Sequence, residues 1–350
     1  MLRLFRMAID MKMAGAGLAA AVAAYACYGG TKPAAEGPPP AGAVELYVNG
    51  ERVVVPCVSL PHSPFCARSF CARISHTSAP THRPHPLERS ARSSASAHMK
   101  LSRRAHDIHP RMTLLEFLRE YLKLTGTKNS CTQGGCGACT VTLTTFDSAA
   151  GGFSHRAVNA CLRPVLSCIG QAITTTEGIG SRDDGYHPAQ QRIADCNGSQ
   201  CGFCTPGQVM TLYSLLREKG EKGSLSLDDI EERFDGNICR CTGYRPIMTA
   251  AHTFASEGCD DLTAVEGFSP EFEKYDPSAE APPPAGAKDV AGATTVCAAD
   301  GTAWHRVTSV AELDAVRSAA VSAGKKAQLV CGNTMTGPCK CCQDIAVSRS

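Results

Sequence analysis

The first ordered pattern along the chain is VELYVNGERVVV, residues 44–55. Two apolar, β-rich runs flank Asn49-Gly50, a dipeptide that accepts positive φ at both positions, so a tight β-hairpin is predicted. From Cys57 to His109 neither a period of two nor a helical period is visible. That stretch holds seven of the eleven histidines, many Ser, Pro and Arg, and only Glu88 and Asp107 as acids. It reads as an unstructured insertion or as translated sequence outside the fold, because a loop of roughly 50 residues is uncommon inside a compact domain. A basic metal- or phosphate-binding loop is the alternative. Order returns at Arg111. Thr113-Leu-Leu-Glu116 has the capping-box form. Leu114, Leu115, Phe117, Leu118, Tyr121 and Leu122 then recur at helical spacing, with Gly126 expected to close the helix. Residues 140–146 and 172–177 are strand candidates rich in Thr, Val and Ile. These segments predict a small α+β unit.

Beyond His187 the period is helical. Candidates are 188–196; 206–219, with Thr205 as N-cap, Pro206 at the first helical position and Gly220 as C-cap; 227–234, capped by Ser226 and followed by Gly236; and 246–255. Four short helices predict a second, all-α bundle. Residues 267–292, with Pro282-Pro283-Pro284, read as an exposed linker. A third unit begins at Ala303, with a helix near 310–324 and a strand at 327–331. Its remaining length is too short for a core of its own.

Length and charge narrow the classes. The 350 residues allow about two or three domains. Lys and Arg number 35 against 33 Asp and Glu, net +2, which excludes a strongly basic nucleic-acid surface and a strongly acidic tail over the whole chain. Arg3, Arg6 and Lys12 precede an apolar, Ala-rich run at 13–28. It is shorter than the roughly 20 residues that span a bilayer. It reads as a signal or transit segment or as a disordered leader, and residues 31–43 as a linker. No other stretch could cross a membrane, so no stable membrane association is expected.

The twenty cysteines change the picture most. A secreted disulfide framework and an intracellular set of metal-binding thiolates compete. Eight of them form two tight groups: Cys131, Cys136, Cys139 and Cys161, then Cys201, Cys204, Cys239 and Cys241. Gaps of that size suit a metal centre better than bridges spread over loops. The other twelve are scattered and stay unassigned. The segment SCTQGGCGACTV, residues 130–141, has the C-x4-C-x2-C spacing of a plant-type 2Fe–2S site, with Cys161 further on. Two irons need two soft thiolates each. Its glycines let one loop wrap a cluster and aim backbone N–H groups at sulfur. Zinc or unliganded cysteines are the alternative there. The second group, QCGFCTPG and NICRCTGYRPI, places Cys204 and Cys241 just before expected helix starts, where the helix dipole and free N–H groups favour thiolate. By spacing alone zinc remains a competitor at this second group, and a second 2Fe–2S cluster is favoured beside the first.

These motifs, with NACLRPVLSC (159–168) and HPAQQRIA (187–194), resemble the iron–sulfur region of the molybdenum hydroxylases, the xanthine dehydrogenase and aldehyde oxidase enzymes. The resemblance covers 44–55 and roughly 109–254, and resumes at 304–337. It implies a β-grasp, ferredoxin-like 2Fe–2S domain and an all-α, four-helix 2Fe–2S domain. A truncated start of an α+β FAD-binding domain follows. The implied boundaries are a leader and linker at 1–43, the ferredoxin-like domain at 44–180 with the insertion at 57–109, the helical domain at 181–262, a linker at 263–302 and the FAD-domain start at 303–350.

By the same resemblance, Cys131, Cys136, Cys139 and Cys161 hold the cluster nearer a flavin. Cys201, Cys204, Cys239 and Cys241 hold the one nearer molybdenum. Gln200 lies beside the pterin of a molybdopterin carried elsewhere in a full-length enzyme. Leu329, Val330, Gly332, Asn333 and Thr334, around Cys331, match a first flavin-binding loop and would form a partial FAD site. The implied function is electron transfer from molybdopterin through two 2Fe–2S clusters to FAD in a xanthine dehydrogenase-like oxidoreductase of purine catabolism. An aldehyde oxidase-like enzyme, a stand-alone small iron–sulfur subunit and, remotely, a zinc-stabilised interaction protein are the alternatives. Flavin and molybdopterin domains or subunits are the implied partners, with a homodimer for the full-length enzyme and no nucleic acid. The family's substrate-orienting glutamate and arginine have no counterpart here, so no catalytic residue is expected. Neither the insertion at 57–109 nor Pro338-Cys339-Lys340-Cys341-Cys342 follows the family pattern. Cluster assembly favours a reducing, cytoplasmic compartment, with organellar targeting by the leader as the alternative.

Overall fold

The computed structural model describes residues 43–56, 108–147, 151–183, 185–219, 225–256, 272, 275–284, 286–287, 294–298 and 301–334. The expectations for the leader, the insertion and the Cys-rich C-terminal motif lie outside these residues. The hairpin forms as its sequence dictates. Strand β1 (Ala43–Val48) pairs antiparallel with β2 (Glu51–Pro56), Val48 opposite Glu51. Asn49 and Gly50 both take positive φ, 51° and 82°, the geometry whose twist matches the strands.

Three further strands complete the sheet: β3 (Thr140–Asp147), β4 (Gly152–Asn159) and β5 (Ala172–Thr174). Strand order is β2-β1-β5-β3-β4, with β1 and β5 parallel and the other pairs antiparallel. Helix α1 is an α-helical turn, Leu114–Glu116, that widens into a π-helical turn, Phe117–Tyr121. Thr113 caps it by accepting the Glu116 N–H at 3.2 Å. Leu114, Phe117 and Leu118 sit in the core with Leu46, Val141, Leu143, Val165, Leu166 and Ile173. The helix ends earlier than the Gly126 signal implied. Leu122 is its last cap, and Lys123 takes φ 61°.

Four helices follow: α2 (Pro188–Asp195), α3 (Thr205–Lys219), α4 (Leu227–Phe234) and α5 (Arg245–His252). Ser226 and Asp229 form a reciprocal cap at the start of α4. Thr205 lies inside α3 rather than before it. Helix α3 is buried from Gly207 to Arg217. Val209, Leu212, Leu215 and Leu216 face a second core with Ile193, Ile230, Ile247 and Ala250. The helix also packs on β3 and β4. Gly207, Met210, Thr211 and Ser214 share a stripe at helical spacing opposite that core, and all are buried. α3 is therefore the spine between the sheet and the other helices.

Two expectations for the C-terminal part change. The exposed linker is partly buried: Ala287 is 3% exposed, and Thr294–Cys297 forms β6, paired with β7 (Ala303–Arg306). That hairpin has no core of its own, and Val296 and Trp304 join the core of the five-stranded sheet. Helix α6 spans Val310–Ser322. Residues 327–331, expected as a strand, are irregular; among the described residues no strand pairs with them. Among the described residues no helix is long and apolar enough to cross a membrane.

Candidate metal centres

The loop between α1 and β3 carries Cys131, Cys136 and Cys139, and the turn after β4 carries Cys161. The fold brings these four together as two pairs. The thiols of Cys131 and Cys136 are hydrogen-bonded neighbours, as are those of Cys139 and Cys161. Cys161 also reaches Cys131. The second quartet has the same organisation. Cys201 pairs with Cys241, and Cys204 with Cys239. Among the described residues, no three His, Cys, Asp or Glu side chains gather around one point as the ligands of a single ion do. Two pairs per quartet is the donor set that two irons with two thiolates each require, so both quartets fit a 2Fe–2S cluster.

In three of the pairs the two thiols shift in opposite directions: Cys161, Cys239 and Cys201 fall while Cys139, Cys204 and Cys241 rise. A hydrogen bond from Cys139 is the largest influence on Cys161, lowering it to about 7. The same bond, with burial, raises Cys139. Burial and the neighbouring Cys239 push Cys204 up to about 12. Cys239 itself falls to about 7. There burial opposes ionisation, and donors from Thr242 and the Cys241 backbone outweigh it. Such thiolates are the metal-binding form.

The surroundings supply donors to sulfur. The Gln133 N–H points at Cys131 Sγ from 3.3 Å. Thr242 Oγ1 lies 3.1 Å from Cys239 Sγ, and Tyr244 Oη accepts the Cys239 N–H at 3.1 Å. Asn159 ties the first loop together: its Nδ2 donates to the Gly134 carbonyl at 3.2 Å, and its Oδ1 faces Cys139 Sγ at 3.8 Å. These helpers carry no sequence signal of their own, except that Gln133, Asn159, Thr242 and Tyr244 all stand within motifs already singled out.

The two quartets are joined through backbone. The Ile238 N–H, one residue before Cys239, donates to the Cys136 carbonyl at 3.0 Å. Gly137, at φ 69°, lies so close to the Gly236 carbonyl that a Cβ would collide with it. A Cβ on Gly207 would meet the Gly137 carbonyl in turn. Glycine at 137 and 207 lets the first loop press on the start of α3. Exposure differs between the quartets. Cys139 and Cys161 are buried, whereas Cys201 and Cys241 are exposed. Phe203, Ile238 and Tyr244, each more than 40% exposed, rim the second site.

Gln200 is exposed, next to Cys201. The loop with Leu329, Val330, Cys331, Gly332, Asn333 and Thr334 comes back to the first quartet. Val330 packs against the sheet core. Asn333 Nδ2 donates to the Leu162 carbonyl at 2.8 Å, one residue after Cys161.

Comparison with known proteins places both sites in families. Residues 101–169 match the 2Fe-2S iron-sulfur cluster binding domain, and residues 175–252 match the [2Fe-2S] binding domain. The xanthine dehydrogenase of Calliphora vicina is 42% identical over 254 residues, 65% of this chain and 18% of that protein. The aldehyde oxidase 1 of Rattus norvegicus is 50% identical over 155 residues, 44% of this chain and 11% of that protein. The chain thus spans less than a fifth of the length of these relatives. Among solved structures, quinoline 2-oxidoreductase from Pseudomonas putida 86 aligns at 35% identity and TM-score 0.35, covering 41% of this chain and 80% of that one. Aldehyde oxidoreductase from Desulfovibrio gigas aligns at 35% identity and TM-score 0.36, covering 41% and 15%.

Proposed function

We propose that the chain, whose two iron–sulfur domains resemble those of the xanthine dehydrogenase and aldehyde oxidase family of molybdenum hydroxylases, is the electron relay of such an oxidoreductase. Cys131, Cys136, Cys139 and Cys161 hold one 2Fe–2S cluster, and Cys201, Cys204, Cys239 and Cys241 the other. When bound, the clusters supply one-electron carriers between a molybdopterin centre and FAD. The observation that carries this reading is the gathering of eight thiols into two quartets of two pairs, one quartet within each matched domain.

The residues around the sulfurs tune the relay. Backbone N–H groups and the Thr242 hydroxyl stabilise negative charge on sulfur, which raises a reduction potential. The Gly137–Gly207 contact packs the first cysteine loop against the start of α3. The docking of Asn333 beside Cys161 supports a flavin at the first quartet. Gly332 and Asn333, both at positive φ, turn successive backbone N–H groups outward, as an anion-binding loop does. The open second quartet, with its apolar rim and Gln200, supports a molybdopterin domain or subunit as the partner on that face. A homodimer of the full enzyme, a purine substrate and a cytoplasmic setting complete the proposal. The described cysteines are all free thiols, in keeping with a reducing compartment.

The test is metal and sulfide analysis of anaerobically purified chain with EPR of the reduced form. Two irons and two inorganic sulfides per quartet and two distinguishable signals are expected. Cys239→Ser with Cys241→Ser should abolish one signal and spare the other. Colourless protein with zinc and no sulfide would replace the relay with a zinc-stabilised interaction protein.

A further inference from the structure

Among the described residues that follow the helical domain, 275–284 and 286–287 are anchored at two places. At one end Glu280 is a buried carboxylate, its side chain 9% exposed. His187 Nε2 lies 2.5 Å from its Oε1, and Tyr275 Oη donates to the same oxygen at 2.8 Å. Arg217 Nη1 stands 3.6 Å from Oε2 and also donates to the Ala281 carbonyl at 3.3 Å. His187 is doubly engaged. Its Nδ1 accepts the Ala189 N–H at 3.0 Å and so caps α2, which leaves Nε2 to donate to Glu280. Arg217 lies in α3, the spine. Glu280 therefore gathers the start of α2, the end of α3 and its own segment around one anion. Nearby, Tyr275 and Phe272 extend the helical core, and Tyr275 stacks edge-on against Phe254 at 5.6 Å.

The other end lies on the sheet. Ala287 is buried against Tyr47 of β1 and Ala172 of β5. Gly286 presses on the Tyr47 phenol so closely that a Cβ there would strike its hydroxyl. The span between Glu280 and Gly286 includes Pro282-Pro283-Pro284, whose fixed φ makes a stiff spacer.

We propose that residues 275–287 are a strap that locks the helical domain to the sheet domain, with Glu280 as its positioning residue, so that this connection sets the geometry between the two cysteine quartets. A free tether would expose its glutamate. This one buries a carboxylate with three partners, an arrangement that is stable only while all of them stay docked.

The experiment uses the full chain. Hydrogen exchange of the 275–287 peptide is followed in wild type, Glu280→Ala, Glu280→Gln and Gly286→Val. EPR of the reduced, cluster-loaded chain reports dipolar coupling between the two centres. Glu280→Ala is expected to speed exchange of that peptide about ten-fold or more, by freeing a buried ion pair. It should also weaken the coupling while both individual signals persist. Gly286→Val, working from the other anchor, should produce the same pair of changes, and the double variant less than their sum. The milder Glu280→Gln should fall between wild type and Glu280→Ala, which separates strap release from global unfolding. Unchanged exchange at 275–287 in all variants would overturn the strap, and so would faster exchange with unaltered coupling. The coupling measurement rests on the two-cluster reading, whereas the exchange measurement does not. Absent iron would therefore sink the relay and leave the strap to be judged by exchange.

Discussion

At the scale of single residues, the side chains that touch sulfur decide the chemistry, and not all of them are cysteines. Thr242 is the clearest case. Its hydroxyl lies 3.1 Å from Cys239 Sγ, where a donor stabilises negative charge. Thr242→Val keeps the shape and removes the donor. It should lower the potential of one cluster by roughly 40 mV, the one-electron equivalent of about 1 kcal/mol for a hydrogen bond, and leave the other cluster unmoved. A redox titration followed by EPR measures this, and equal shifts of both signals would contradict the assignment. The cysteine positions themselves were legible from spacing. Thr242 was not, because nothing in a CTGYR sequence says which sulfur a hydroxyl will reach.

At the scale of elements, α3 does the most. It carries Cys204 at its threshold, a core face and an inter-domain stripe, and it is buried throughout the middle. Leu212 is 0% exposed in the helical core. Leu212→Ala should cost about 3 kcal/mol in denaturant unfolding, from lost apolar burial and the cavity left behind. Val321→Ala on the exposed face of α6 should stay within about 0.5 kcal/mol. The α3 segment and the β1–β2 hairpin were readable because local chemistry specifies them: helix period with Pro206 early in one, Asn49-Gly50 in the other. Strand β4, GFSHRAVN, carried no signal. It has no run of β-branched residues and is held by its full ladder with β3. The expected strand at 327–331 is the complementary case, propensity with no strand pairing with it among the described residues.

At the scale of the molecule, the first cysteine loop meets the helical domain through Gly137, Gly207 and Gly236, beside the stripe of α3 that packs on β3 and β4. Gly207→Val would drive a side chain into the Gly137 carbonyl. Overpacking of this kind costs about 1–3 kcal/mol. The outcome expected in calorimetry is that one cooperative transition separates into two, the helical domain melting apart from the sheet domain. A single transition merely shifted in temperature would mean that other contacts, the strap among them, carry the coupling. The C-terminal hairpin β6–β7 belongs to the same logic. It lends Trp304 to the sheet core instead of building one of its own.

What the sequence alone determined is everything that depends on short separations: the hairpin turn, the caps at Thr113 and Ser226, and the grouping of eight cysteines into two tight sets. Tertiary structure alone decided which distant groups meet. His187 finds Glu280 across 93 positions, and Asn333 finds Leu162 across 171. Local propensity is set by a residue and its near neighbours. Burial and pairing are set by whatever the folded chain brings alongside, and a glutamate in a Pro-rich stretch looks like a solvated linker until three partners close around it.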